Sequence, residues 1–232
     1  MRNKLFMEGL GTFLLCVASM MSPSPINVAA ILCALVYLGG PISGAQYNPA
    51  VTLALRLRGR FGWRSMASFI AIQCAAALLA ALFVGLISVH DNAHTKDAVD
   101  ALSEPAFGDF WAASAVSLLG VFFLALVILM VATSRLTSGN SYFGVAIALA
   151  YLGLVGTFTE FKPDLNPAYS LASALQGCAI ALFGDDGNAG AFGKEFVYLA
   201  KMSPRVFADI MVELMGGALA AFTFRRLFPE DR

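Results

Sequence analysis

Asn48-Pro49-Ala50, set within Ser43-Gly44-Ala45-Gln46-Tyr47-Asn48-Pro49-Ala50-Val51-Thr52, returns as Asn166-Pro167-Ala168 within Pro163-Asp164-Leu165-Asn166-Pro167-Ala168-Tyr169-Ser170. Asn is a favoured helix N-cap, and Pro suits the first helical position, where no N–H is needed. Each copy opens a short apolar stretch closed by glycine, Asn48 to Gly59 and Asn166 to Gly177. Glycine is the usual residue just past a helix end. The pattern predicts two helices of about ten residues, roughly 15 Å each, half of a hydrocarbon core. Neither spans alone, but two can meet tip to tip at the midplane.

The surrounding chain supplies the membrane. Of 232 residues, 59% are hydrophobic and 13% charged, and the mean hydropathy is +0.75. Apolar runs at Leu5–Met21, Ile26–Leu38, Met66–Val89, Phe110–Ala132, Tyr142–Phe158 and Val206–Phe228 predict six spans, two of them short for a bilayer. Arg2 and Lys4 precede the first run as in a signal peptide, but Glu8 interrupts it, so it is read as a membrane helix. The net charge of zero carries no nucleic-acid footprint. Cys16, Cys33, Cys74 and Cys178 lack disulfide or zinc spacing and read as packing residues. If both termini are cytoplasmic, that side holds Arg2, Lys4, Arg56, Arg58, Arg60, Arg64, Arg135, Arg225, Arg226 and Arg232. The positive-inside rule favours this arrangement, with the arginines as interfacial anchors.

Each Asn-Pro-Ala follows two spans and precedes one. Three spans per half force the second copy to enter inverted, the plan of many transport proteins. The expectation is one channel domain of two repeats, 1–109 and 110–232. Gly11-Thr12-Phe13 in the first span is echoed by Gly120-Val121-Phe122 in the fourth, and Gly39-Gly40 and Gly216-Gly217-Ala218 offer close helix crossings.

These phrases resemble the two signatures of the aquaporin and glycerol-facilitator family, the major intrinsic proteins. Glu8-Gly9-Leu10-Gly11-Thr12, Gln73-Cys74 and Gly216-Gly217-Ala218-Leu219 extend the resemblance over nearly the whole chain. It implies an all-α membrane protein with six transmembrane helices and two re-entrant half-helices, usually a homotetramer in the plasma membrane. Asn48, Pro49, Ala50, Asn166, Pro167 and Ala168 would form the pore centre. Each half-helix presents about half a positive charge at its N-terminus, so two facing tips repel cations. The asparagine amides would face the lumen as donors.

The family's selectivity ring, counted without gaps, falls on Val28, Leu154, Pro163 and Tyr169. The last position is almost always arginine in the family, so the ring is expected to be mostly apolar with one phenol. Arginine about 8 Å from a cation, at an effective dielectric near 20, would repel it by about 2 kcal/mol. That barrier is lost here, and Lys162 or Arg205 is a weak candidate to replace it. Glu8 matches a family carboxylate that holds loop backbone, while its symmetry mate falls on Ser117. Glu213, counted from Ser203-Pro204 as N-cap and first helical residue, lies about 14 Å into the sixth span and should be neutral or hydrogen-bonded. His90 and His94 beside Asp91, Asp97 and Asp100 read as a solvated loop rather than a metal site, and Cys178–Ser203 reads as an extracellular insertion. The expected function is a passive channel for water or small uncharged solutes. The alternative is a poorly conducting protein of the same fold, serving in adhesion or assembly. No cofactor is expected. No catalytic set is present, so an enzyme is not expected.

Overall fold

The computed structural model describes residues 1–60, 62–88, 110–161, 163–183 and 192–231, and of 177–183 and 192–203 the backbone alone. Its helices are α1 (Arg2–Met21), α2 (Pro25–Gly39), α3 (Pro49–Leu57), α4 (Trp63–Ser88), α5 (Phe110–Thr133), α6 (Phe143–Thr157), α7 (Pro167–Phe183) and α8 (Phe192–Leu227). Two single 3₁₀ turns, Arg135–Thr137 and Thr159–Phe161, flank α6. The described residues contain no strand.

Four segments are long and apolar enough to cross a membrane: α1, α4, α5 and the Pro204–Leu227 part of α8. The other two spans, α2 and α6, have 15 residues each, or about 22 Å of helix. Bulky apolar side chains stay on the outside, as with Leu79, Leu82, Phe83, Leu86 and Ile87 of α4. In water such a face would be costly, whereas against lipid it is the solvated face.

Packing repeats itself across the two halves. α1 lies on α4 as α5 lies on α8, and α2 meets its counterpart α6. The half-helices are exchanged: α3 packs on α8 of the other half, and α7 packs on α4. The glycine pairs make these approaches possible. A Cβ on Gly217 would stand 2.4 Å from the Ala50 carbonyl oxygen, and one on Gly216 would stand 2.8 Å from that of Leu118.

Three expectations need correction. The first half-helix ends as read, with Arg58 as C-cap and Gly59 at φ +92°. The second does not stop at Gly177: α7 runs 17 residues to Phe183. Glycine permits an end without compelling one, and the apolar run beyond it carries the helix on. Ser203-Pro204 do mark the start of the stretch apolar enough to cross a membrane, Pro204–Leu227, but not of the helix, because α8 begins at Phe192 and holds Pro204 within it. The stretch read as an insertion is therefore helical at 178–183 and 192–203. Its middle, 184–191, lies outside the described residues, as do Lys162, His90, His94, Asp91, Asp97 and Asp100.

Candidate pore

Asn48 caps α3 by accepting from the N–H groups of Ala50 at 2.8 Å and Val51 at 3.3 Å. Asn166 caps α7 by accepting from Ala168 N–H at 3.1 Å. Each side chain then reaches across the repeat. Asn48 Nδ2 donates to the Leu165 carbonyl at 2.8 Å, and Asn166 Nδ2 donates to the Tyr47 carbonyl at 3.0 Å. One of the two N–H groups on each amide is thus committed to the opposite loop, which leaves one per asparagine for the lumen. The sequence reading had the side-chain oxygen as the cap, as found, but aimed both N–H groups at the lumen.

The carbonyls are turned for this by backbone that sequence does not announce. Tyr47 and Leu165, each directly before its asparagine, adopt φ values of +52° and +57°. That left-handed region is unfavourable for bulky residues and persists only where surroundings impose it. The surroundings are Gly11 and Gly120. A Cβ on Gly11 would lie 2.1 Å from the Tyr47 ring, and one on Gly120 would lie 2.4 Å from Leu165 Cδ2. The echo between the first and fourth spans is therefore a pair of recesses for the residues that precede the asparagines. Gly39 completes the first recess beneath the Tyr47 hydroxyl, which donates to the Leu35 carbonyl at 3.0 Å.

The two buried carboxylates are not equivalent. Glu8 accepts from Ser43 Oγ at 2.6 Å and from the N–H groups of Gln46 at 3.0 Å and Tyr47 at 2.8 Å. Gln73 Nε2 adds a fourth bond at 2.9 Å. This carboxylate organises the whole loop before α3. In the second half Ser117 is buried at the symmetric place, without a carboxylate. Glu213, on a different helix, accepts from Ser170 Oγ at 3.0 Å. Its Oε1 lies buried without a well-formed hydrogen bond, and the carboxylate as a whole interacts with the Asn166 backbone. A contact with loop backbone is thus joined by a bond to a hydroxyl of α7.

Three cavities run in series. The central one, about 50 Å³, is lined by both asparagines and by Cys16; a few waters fit in that volume. The outer one, about 350 Å³, is lined by Val28, Tyr151, Val155, Pro163, Asp164 and Tyr169, among others. Three of the four counted ring positions, Val28, Pro163 and Tyr169, therefore face the outer cavity. Leu154 packs in the core cluster that includes Val28, while its helix turns Tyr151 and Val155 to the cavity. Four residues line both cavities and form a collar between them: Ser19, Tyr151, Asp164 and Tyr169. All four are polar, so the lining beside Tyr169 holds a carboxylate and a second phenol that the four-position count omits. Asp164 stands two residues before Asn166, and that spacing was the available signal. Toward the other end, Val36, Ala45, Ile128 and Ile147 line both the central cavity and an inner one of about 400 Å³. That neck is wholly apolar.

Beside the inner cavities, the reading of the arginines as anchors fails for Arg58. Its side chain is fully buried and meets Asp231 Oδ2 at 3.1 Å. It donates to the carbonyls of Asp231 at 2.8 Å and Thr133 at 3.0 Å, and lies 4.4 Å over the Phe224 ring. The Ser134 hydroxyl, the Arg135 N–H and Arg58 hold the Asp231 carboxyl below its ordinary value, and burial lowers the Arg58 value. Among the described residues no His, Cys, Asp or Glu cluster could hold a metal, and Cys16, Cys33 and Cys74 are free thiols.

Comparison with known proteins bears on this pore. Glycerol uptake facilitator protein of Streptococcus pneumoniae is 26% identical over 246 residues, spanning 97% of this chain and 99% of its own. Aquaporin NIP1-1 of Zea mays is 32% identical over 142 residues, and Glycerol uptake facilitator protein of Bacillus subtilis 30% identical over 147. The chain spans about half the length of these last two relatives, 48% and 52%. The solved aquaglyceroporin from Plasmodium falciparum superposes with a TM-score of 0.66 over 97% of this chain and 96% of its own, at 17% identity, a likeness of fold. The profile described as Major intrinsic protein matches residues 3–224. With a match of that extent over the helices and loops just described, the chain belongs to the major intrinsic protein family.

Proposed function

We propose that this protein is a passive membrane channel for water or small uncharged solutes, with Tyr169 at the position that sets selectivity. As a member of its family it is a channel and not an enzyme. The observation that carries the reading is the pair of asparagine-capped half-helix tips facing one small cavity, each braced to the other's loop. Their dipoles oppose cations at the centre, while one free N–H on each amide holds a neutral molecule in passage. The glycerol facilitators and aquaporin among its relatives support the same class of cargo. The family resemblance supports a homotetramer in the plasma membrane, and the count of basic residues supports cytoplasmic termini.

Arginine at 169 would supply five N–H donors and a fixed charge, whereas tyrosine supplies one hydroxyl and an apolar face. Water entering past Tyr169 sheds hydrogen bonds that the phenol only partly replaces. Water flow per protomer should therefore be slow relative to that of a water-selective family member. Tyr169→Arg should sharpen exclusion of cations, and Tyr169→Ala should admit larger solutes. Stopped-flow light scattering on proteoliposomes with water, glycerol and urea, alongside a proton-leak assay, compares the three proteins at matched density. Fast water flow in wild type, or identical permeabilities in all three, would remove Tyr169 from the constriction. No solute flow in any of them would favour the poorly conducting, structural alternative.

A further inference from the structure

The collar between the outer and central cavities carries a carboxylate. Asp164 lines both the outer and the central cavity. It lies close enough to Tyr151 and Tyr169 for their charges to interact, and the Tyr151 hydroxyl reaches the Ser19 side chain. Burial works against the ionised form of Asp164, while the Ser170 side chain, a hydrogen-bond partner, and Arg205 favour it. The one described cation nearby, Arg205, pairs with Asp209 one turn along α8 at 3.9 Å and is close enough to Asp164 for their charges to interact. No salt bridge joins it to Asp164. Of the two other described acids close by, Asp209 is the partner of Arg205, and Glu213 accepts from Ser170 and turns to the Asn166 backbone.

We propose that Asp164, with Tyr151, Tyr169 and Ser19, forms a binding site for small N–H-bearing cations of the guanidinium type at the junction of the outer and central cavities. The chemistry is complementary at each point. A planar guanidinium donates to a carboxylate in paired, charge-assisted bonds. The two phenol rings offer π faces to a flat cation, and their oxygens accept further N–H groups. The outer cavity is wide enough to admit the ion, and beyond the collar the two half-helix tips oppose it. A cation held there obstructs the path of neutral solutes, a step that rests on the channel reading above.

The test separates binding from flow. Equilibrium dialysis of the purified full chain in detergent, with radiolabelled guanidinium at millimolar concentration, should give saturable binding. Tetramethylammonium, equal in charge but lacking N–H groups, should compete at least about tenfold less well. Asp164→Asn should weaken guanidinium binding about tenfold or more. Tyr169→Arg, which sets a fixed cation in the collar, should abolish it and answers the question if the first variant does not fold. Unchanged binding in a folded variant, or equal competition by tetramethylammonium, overturns the site. In proteoliposomes guanidinium should slow glycerol efflux over the concentration range in which it binds, and binding that leaves efflux untouched overturns the obstruction. If wild type passes neither water nor glycerol, it is the channel reading that fails, and the dialysis result still decides the site.

Discussion

Two positions carry the pore's local geometry without touching a solute. Gly11 and Gly120 each make room for the residue ahead of an asparagine, but the neighbours differ. A Cβ on Gly11 meets three atoms of the rigid Tyr47 ring within 2.5 Å, while one on Gly120 meets only a terminal methyl of Leu165 within 3 Å. Tyr47 is wholly buried and its hydroxyl is hydrogen-bonded, so it cannot swing aside. Gly11→Ala should therefore destabilise by about 1–3 kcal/mol, the range for overpacking a tight core. Gly120→Ala should cost less, because the atom it meets is the far end of a flexible side chain rather than part of a ring. Thermal unfolding of both variants in detergent measures the difference, and equal losses would mean that the two recesses yield alike.

At the scale of the element, each half-helix is a dipole whose exposed end has been given a job. Asn166→Asp keeps the cap, since aspartate accepts as well as asparagine. It also removes the donor to the Tyr47 carbonyl and sets a negative charge at the tip. Proton and sodium leak into proteoliposomes should rise in this variant while the protein still inserts; unchanged leak would place the tips away from the conducting path. The helices themselves were legible in sequence because cap, proline and apolar run agree at both Asn-Pro-Ala phrases. The ends were legible only in part: Gly59 closes α3 as read, but Gly177 reads as a stop and is passed over, and Pro204 reads as a start and lies inside α8. The lining of the outer cavity was partly legible. Val28, Pro163 and Tyr169 follow from counting, but Tyr151 reaches the cavity through the rotation of α6, which no linear count contains.

Across the whole molecule, Arg58 ties three distant parts together: the end of α3, the Thr133 carbonyl at the end of α5, and Asp231. Sequence shows one basic residue among several near an interface, and burial alone singles it out. Because the Asp231 carboxyl is held below the ordinary aspartate value of 3.8, its charge stabilises the fold fully above that value. The contribution is lost as pH falls through the depressed value in the folded protein. Asp231→Asn should melt below wild type at pH 7, and the gap should close on acidification below the ordinary aspartate range. A gap that stays constant with pH would assign the loss to packing instead. The asparagine braces reach as far across the chain, and they bear on how it is made. The Asn48 amide finds its acceptor 117 residues later, so at about 5–20 residues per second a ribosome needs roughly 6–23 s to deliver it. For that interval the first half of the pore is without the partners of the Asn48 amide and the Tyr47 carbonyl, and chaperoning by the insertion machinery would matter most then.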